Sequence, residues 1–527
     1  MSKELRLKFA AALCGLAIFL PTATNAQMKK RAASAGSAEQ RTARAFEKAG
    51  ENPLELRAFL VRMPKGADLH VHLSGAVYAE SWIRAAAEDG LCVDLASHAF
   101  VKAEATTRSL PPQPVCGEGR ARASDALQNQ GLYDALIDAF SMRSFVPYAG
   151  ESAHDHFFAT FAKFGGTSKR HTGEWVDAVT ARAAAQNEQY MELMETPDFS
   201  HTAAIAKEVE WTDDFANLRE ELLAHGLRDD VAVARTHFDE AEKLRNERQR
   251  CGQADAEPGC QVEVRWIYQV LRGFPAEQVF AQALLGFEVA SADPRVVGIN
   301  FVMPEDGYVS MRDYALHMRM VEFLHGVYPE VHITLHAGEI APGLVTPNGL
   351  CCHIRLAVEE GHAERIGHGV DVMYEDRPYE LLKEMAAKHV MVEINVSSND
   401  LILGVSGKEH PLPIYRAYHV PVDLSTDDEG VSRIDLTHEY VRAAETYNLG
   451  YADLKQMART GLEHDFLPGA SLWRSVDDFS KVNAACAKDS PGSENPSKNC
   501  AAFLDASEKA KEQWELERRF RTFESGF

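Results

Sequence analysis

Short runs rich in apolar and β-branched residues recur along the chain, each separated from the next by enough residues to hold a helix. They occupy 67–73, 189–196, 262–270, 295–302, 331–337, 365–368, 390–396 and 420–426, and bounded runs of this length predict strands. Between them, segments such as 310–326 and 378–388 carry apolar residues at helical spacing. Eight β-then-α units predict an α/β fold, a TIM-type (β/α)8 barrel, over residues 61–472. A doubly wound open sheet alternates in the same way. It ranks second because no Gly-x-Gly-x-x-Gly turn follows a first strand.

The flanks read differently. Residues 27–60 are rich in Ala, Glu, Arg and Lys, which predicts an N-terminal helical extension. Within the barrel span, about 92–130 is punctuated by Pro111, Pro112, Pro114 and Gly117 and reads as a disulfide-pinned insertion. Beyond the barrel, 473–527 holds a polar stretch at 489–498 and a Glu- and Lys-rich run at 502–521, a C-terminal helical tail ending in one terminal helix. At the start, Lys3, Arg6 and Lys8 precede an apolar run at 9–20 and then Thr24-Asn25-Ala26. That order predicts a signal peptide over 1–26, and the run is shorter than the ~20 residues of a membrane span. The expectation is therefore export to the periplasm or the extracellular medium, with no stable membrane anchor.

Charge and cysteine content narrow the partners and the compartment. Of 527 residues, 55 are Lys or Arg and 78 are Asp or Glu, a net charge of -23. Such a surface repels a phosphate backbone, so nucleic acid is set aside as a partner. The chain has nine cysteines, and the one in the leader, Cys14, leaves eight. An even number in an exported chain predicts disulfides, and proximity pairs Cys92 with Cys116, Cys251 with Cys260 and Cys486 with Cys500. For the adjacent Cys351 and Cys352, a strained bridge and free buried thiols are both expected possibilities.

Polar residues concentrate where the apolar runs end. The first run contains His70-Val71-His72, and alternate strand residues face one side, so two imidazoles are presented together, as a zinc ion requires. The fifth ends His336-Ala337-Gly338-Glu339, adding a third imidazole, a carboxylate, and a glycine that lets a ligand approach the backbone. The sixth ends Gly367-His368-Gly369, and the eighth ends Ser425-Thr426-Asp427-Asp428, two acids that are costly to bury unless paired or metal-bound. The C-terminal strand ends of a barrel carry its active site. His154 and His156 fall on a helix ahead of the second strand, in surface or supporting roles, and His353 and His362 read as structural.

With Pro64-Lys65-Gly66 leading into His70-Val71-His72-Leu73-Ser74-Gly75-Ala76, then His336-Ala337-Gly338-Glu339, Arg365-Ile366-Gly367-His368-Gly369, Asn395-Val396-Ser397-Ser398-Asn399 and 420–428, the sequence resembles the adenosine deaminase family of metal-dependent hydrolases over 63–467. The resemblance implies that His70, His72, His336 and Asp427 hold one Zn2+. It implies that Glu339 protonates purine N1, that His368 is the base taking the water's proton, and that Asp428 holds N7. Gly338, Ser74 and Met303 join as substrate contacts. Ser74 stands where the family often has an Asp that meets the ribose 5′-hydroxyl, Met303 where a glycine amide meets purine N3, and Asn300 where an Asp is usual. The implied activity is deamination of adenosine, and of 2′-deoxyadenosine, to inosine and ammonia. Alternatives are another adenine compound such as a 5′-modified adenosine, and a non-catalytic adenosine-binding or signalling protein. The partner is a small purine nucleoside. The leader and the cysteine-bearing insertion resemble the secreted adenosine deaminase growth-factor group, which adds a homodimer as a candidate state.

Overall fold

The computed structural model describes residues 36–105 and 114–527. The expected leader, and Pro111 and Pro112 of the insertion, lie outside them. Eight strands pair in chain order, all parallel: β1 (Gly66–His72), β2 (Glu188–Glu195), β3 (Glu263–Leu271), β4 (Val296–Val302), β5 (His332–Ala337), β6 (Arg365–His368), β7 (Met391–Ile394) and β8 (Val422–Leu424). Past β8, Asp427 completes the ring. Its N–H donates to the His70 carbonyl at 2.8 Å, and its carbonyl accepts from the His72 N–H at 3.2 Å. The result is the TIM-type barrel expected from eight apolar runs. Helices return the chain after each of the later strands, including Ala276–Ala292, Tyr308–Val327, Pro378–Lys388 and Tyr451–Glu463. With helices outside and side chains filling the inside, both faces of the strands are covered, which is why the runs are apolar rather than alternating.

The barrel interior is not wholly apolar. Arg365 is completely buried, with Nη2 on Glu192 at 2.5 Å, Nε on Glu393 at 2.7 Å and its guanidinium 3.8 Å over the Phe466 ring. Two acids share one guanidinium here, a pairing that offsets the cost of burying charge where an unpaired one would be prohibitive.

The long β1-to-β2 connection is more ordered than its prolines predict. Cys92–Asp94, Phe100–Val101 and Arg120–Arg122 form a small antiparallel sheet. Cys92 and Val93 are fully buried, so this part docks on the core. The connection goes on through helices Gln130–Ala139, Ala153–Phe164 and Thr172–Ala185. Cys92 is bonded to Cys116, Cys251 to Cys260 and Cys486 to Cys500, the pairs that proximity predicts. Cys351 and Cys352 are bonded to each other and half-buried, which decides against free buried thiols. Among the described residues, no helix is long and apolar enough to cross a membrane.

The single terminal helix expected over 502–521 is two helices, Lys498–Asp505 and Glu508–Ser525. Ser507 separates them, its hydroxyl accepting from the Ala510 N–H at 3.1 Å as an N-cap. The second helix lies across the N-terminal end of the barrel, where Arg519 donates to the Glu188 carbonyl at the start of β2 and Gln513 to that of Leu462. Phe59, from the helix Pro53–Leu60 that precedes β1, holds this end together. Its ring lies 5.5 Å from Phe46, 6.2 Å from Tyr451, 5.2 Å from Phe523 and 5.3 Å from Phe527, joining both chain ends to the barrel. Phe59→Ala should lower stability by ~3 kcal/mol or more, read from the denaturant midpoint. Metal content should not change, because the cluster is at the end of the barrel away from the strand-end histidines.

Candidate active site

Four strand-end side chains converge at the opposite end of the barrel. His70 Nε2 and His72 Nε2 each lie 3.1 Å from His336 Nε2. Asp427 Oδ1 is 3.3 Å from His72 Nε2 and 3.6 Å from His70 Nε2. Nitrogen and carboxylate ligands at ~2.0–2.1 Å from a zinc-sized ion stand ~3.3–3.4 Å from each other in a tetrahedral set. The spacing therefore suits one ion at their centre.

Their outer nitrogens fix what faces that centre. His70 Nδ1 donates to Glu393 Oε2 at 2.5 Å, and His72 Nδ1 donates to Gln269 Oε1. Asn300 Oδ1 accepts from both the backbone N–H (3.1 Å) and Nδ1 (2.8 Å) of His336. With the hydrogen on Nδ1 in all three rings, three Nε2 lone pairs point at one another and at a carboxylate oxygen. Such an arrangement is repulsive unless a cation sits among them. Burial opposes charge on His70, but Asp427 and Glu393 outweigh it, whereas burial pulls His72 and His336 down. Glu393 stays charged, at about 2 despite burial, because Arg365 and the His70 and Thr334 hydrogen bonds hold it there. Asn300, the departure from the family's usual Asp, supplies the acceptor His336 needs.

A second group of acids behaves oppositely. Burial, then the charges of Asp427 and Glu305, push the Glu339 carboxyl well above the usual range. Burial and Asp427 do the same to Asp428, whose Oδ1 has no hydrogen-bond partner among the described residues. Both carboxyls are therefore biased toward their protonated form. They line a cavity of about 420 Å³ together with His72, His336 and Asp427, and its other walls include Phe158, Phe161, Leu271, Val302 and Ile402. His368 stands beside the quartet without joining it. Its Nε2 is unpartnered, 3.6 Å from Glu339 Oε1 and 3.9 Å from Asp427 Oδ2, and burial, reinforced by His70, pulls it down to about 4.

The backbone at these strand ends is unusual. His368 (φ 69°), Asp427 (φ 59°) and Met303 (φ 88°) are non-glycine residues in the left-handed region, a strain that persists where surroundings over-determine it. Arg272 holds the Met303 turn, its Nε and Nη2 donating to the Met303 carbonyl at 3.1 and 3.0 Å. Met303 thus keeps a conformation a glycine would adopt without strain, and it lines the cavity, as does Ser74. Gly75 must be glycine, since a Cβ there would sit 1.5 Å from Asp428 Oδ1. Gly338 differs from its expected role. Its N–H donates to Glu305 Oε1 at 2.9 Å, and a Cβ would strike Asp371 and Ile354, so its bareness serves packing behind the cavity and not a ligand in it.

Glu305 was not singled out by the sequence, yet it anchors the Glu339 loop. It accepts from the N–H groups of Gly338 and Glu339, both at 2.9 Å, and from His353 Nδ1 at 2.5 Å. His353 is structural, as read, stacked 3.7 Å from Tyr314. His154 donates across to Asp306 at 3.1 Å, and His156 is packed on Phe145, both supporting the Ala153–Phe164 helix. Glu393 and Gln269 were also missed. Their signal is a polar residue between apolar neighbours within a strand, as in Val392-Glu393-Ile394 and Tyr268-Gln269-Val270.

The adenosine deaminase family matches residues 176–478, more than half of the chain. That span includes His336, Glu339, His368, Asp427 and Asp428, and the barrel geometry adds His70 and His72. Adenosine deaminase from Clostridium perfringens is 36% identical over 135 residues, 25% of this chain and 37% of that protein. The one from Shewanella loihica is 35% identical over 136 residues, 26% and 38%. The matched part of the chain thus spans little more than a third of these relatives' length. An adenine deaminase structure from Arthrobacter aurescens superposes with a TM-score of 0.49 at 17% identity, covering 76% of this chain and 94% of that one. On its matched span and the strand-end constellation, this chain belongs to the adenosine deaminase family.

Proposed function

We propose that the protein is a zinc-dependent hydrolase that deaminates adenosine to inosine and ammonia. The observation that carries this reading is the placement of two buried carboxyls, Glu339 and Asp428, both pushed above the usual carboxylate range, in one cavity with His72, His336 and Asp427 of the quartet. A 6-aminopurine has lone pairs at N1 and N7 on either side of C6, so two carboxylic acids that can donate bracket the reacting carbon. The apolar walls take the faces of the purine ring. Among the described residues, no Lys or Arg lines the cavity, which favours a nucleoside over a nucleotide.

His70, His72, His336 and Asp427 would hold the ion. When bound, it supplies an activated water by lowering the water's pKa toward neutrality. The protein's own groups do the rest. Glu339 gives its proton to N1, which makes C6 electrophilic, and Asp428 donates to N7 and fixes the ring's orientation. His368, its Nδ1 2.8 Å from Asn399 Oδ1, would take the water's proton at Nε2 and return it to the leaving nitrogen. A C6–O bond forms, the C6–N bond breaks, and ammonia leaves. Four disulfides fit an oxidising compartment, so we infer that the protein works outside the cytoplasm.

Three outcomes test this. The purified protein should carry one zinc per chain, His336→Ala should lose it, and Glu393→Gln should weaken it by ~10–100-fold in chelator competition. Equal affinity in Glu393→Gln would contradict the supporting role of that acid. Glu339→Gln should keep its zinc while kcat falls by at least ~10²-fold; near-normal turnover would remove Glu339 as the acid. In a panel followed by ammonia release, adenosine should exceed AMP by at least ~10-fold in kcat/KM, since no cation among the described residues lines the cavity to pair with a phosphate. A preference for a 5′-modified adenosine over adenosine would instead point to the Ser74 end of the site.

A further inference from the structure

Cys351 and Cys352 are bonded to each other at the end of the connection that leaves Glu339, directly before the helix His353–Glu359. The other three disulfides join residues 24, 9 and 14 apart in sequence, whereas this one joins neighbours. A bridge that closes no loop restricts the unfolded chain very little, so stability is not what it supplies. What it restricts is the backbone on which it sits. Cys352 has a positive φ of 149°, rarely taken by a residue with a Cβ. Both cysteines are half-buried, so a small thiol can reach them.

The first turn of that helix supports the Glu339 loop at two points. His353 Nδ1 donates to Glu305 Oε1 at 2.5 Å, and Glu305 accepts from the N–H groups of Gly338 and Glu339, both at 2.9 Å. Ile354 packs so closely on Gly338 that a Cβ there would lie 2.7 Å from Ile354 Cδ1. Cys352 is thus linked to the Glu339 N–H through His353 and Glu305 alone. The turn also lacks a local cap. Cys352 stands at the N-cap with no side-chain hydrogen bond, and Glu375 accepts instead from the Ile354 N–H at 2.7 Å and the Arg355 N–H at 3.3 Å.

We propose that Cys351 and Cys352 form a thiol–disulfide exchange site for a dithiol, whose bonded state holds the Glu339 loop in its reactive position and whose reduced state releases it. One thiolate of the dithiol attacks a sulfur of the pair, the Cys351–Cys352 bond breaks as a mixed disulfide forms, and the second thiol displaces it. The dithiol closes into its own disulfide, and the pair takes up two electrons and two protons. With the bond open, Cys352 is free to leave φ 149°, and that rotation turns His353 and Ile354 against Glu305 and Gly338. A carboxylate oxygen of Glu375 lies within 4.8 Å of both sulfurs, and its Oε2 has no hydrogen-bond partner among the described residues, so a new thiol finds an acceptor there. Cys351 and Cys352 act through His353 and Glu305 and are positioning residues. The effect on rate rests on the deaminase reading, but the exchange and the loosening of the loop do not.

Mixtures of reduced and oxidised dithiothreitol, applied to the zinc-loaded protein, test this. Alkylation with mass spectrometry reads the state of each cysteine, and hydrogen exchange reads the amides of Gly338 and Glu339. The pair should open before the other three disulfides. Exchange at the two amides should then quicken by ~10-fold, the scale of a lost hydrogen bond to a charged acceptor. In the same samples kcat should fall by at least ~10-fold, with KM little moved and zinc content unchanged. Re-oxidation should restore both readings, which a damaged fold would not do. A Cys351→Ser, Cys352→Ser double variant should turn over at the rate of the reduced wild type and ignore the same mixtures, which separates the pair from reduction elsewhere and from chelation by the reagent. Equal exchange at Gly338 and Glu339 in both states overturns the proposal. So does an unchanged kcat in protein whose pair is fully reduced, or a pair that stays bonded until the other three open. If no purine is deaminated at all, the deaminase reading fails, while alkylation and hydrogen exchange still decide the exchange site.

Discussion

Three imidazole lone pairs and a carboxylate oxygen, aimed at one point from three strand ends, set the terms for everything around them. Each lone pair is imposed from behind by an acceptor, Glu393, Gln269 or Asn300, and Glu393 is itself kept charged by Arg365 inside the barrel. The buried ion network is thus continuous with the metal-binding set, and this gives a physical reason for an arginine at the centre of an apolar sheet. It also ties the set to folding. The backbone of His70, His72 and Asp427 closes the ring between the first and last strands, so the seam of the barrel and the convergence of the ligands are the same event.

The acids of the site are pushed in opposite directions within a few ångströms, and the difference comes from neighbours and not from burial, which they share. Glu305, with His353 and two N–H groups on its oxygens, and Glu393, beside Arg365, are both held at about 2. Glu339 and Asp428 have no cation of their own and face other carboxylates, so both are raised well above the usual range. The strained backbone at His368, Asp427 and Met303 belongs to the same economy of space, because several strand ends must turn their side chains inward over a ligand of modest size.

The sequence by itself determined the fold and most of the reacting residues. Eight apolar runs at helix-holding spacing leave few architectures other than a barrel, and 66–72, 332–337 and 365–368 lie within a residue of the predicted strands. His-x-His on one strand, and a histidine or paired acids at the ends of others, mark the site because the chemistry-bearing residues are local and their strand positions follow from period two. Proximity likewise foretold three disulfides. What only the tertiary structure decided depends on partners remote in sequence. Glu393 meets His70 across 323 residues and Gln269 meets His72 across 197, and no local pattern encodes such pairs. The role of Gly338 changed for the same reason, since the atoms that forbid a side chain there belong to Asp371 and Ile354. The upward push on the Glu339 carboxyl is also out of reach of any motif. A side chain's charge and hydrogen positions are set by the donors, acceptors and burial that surround it, and these exist only once the barrel has closed.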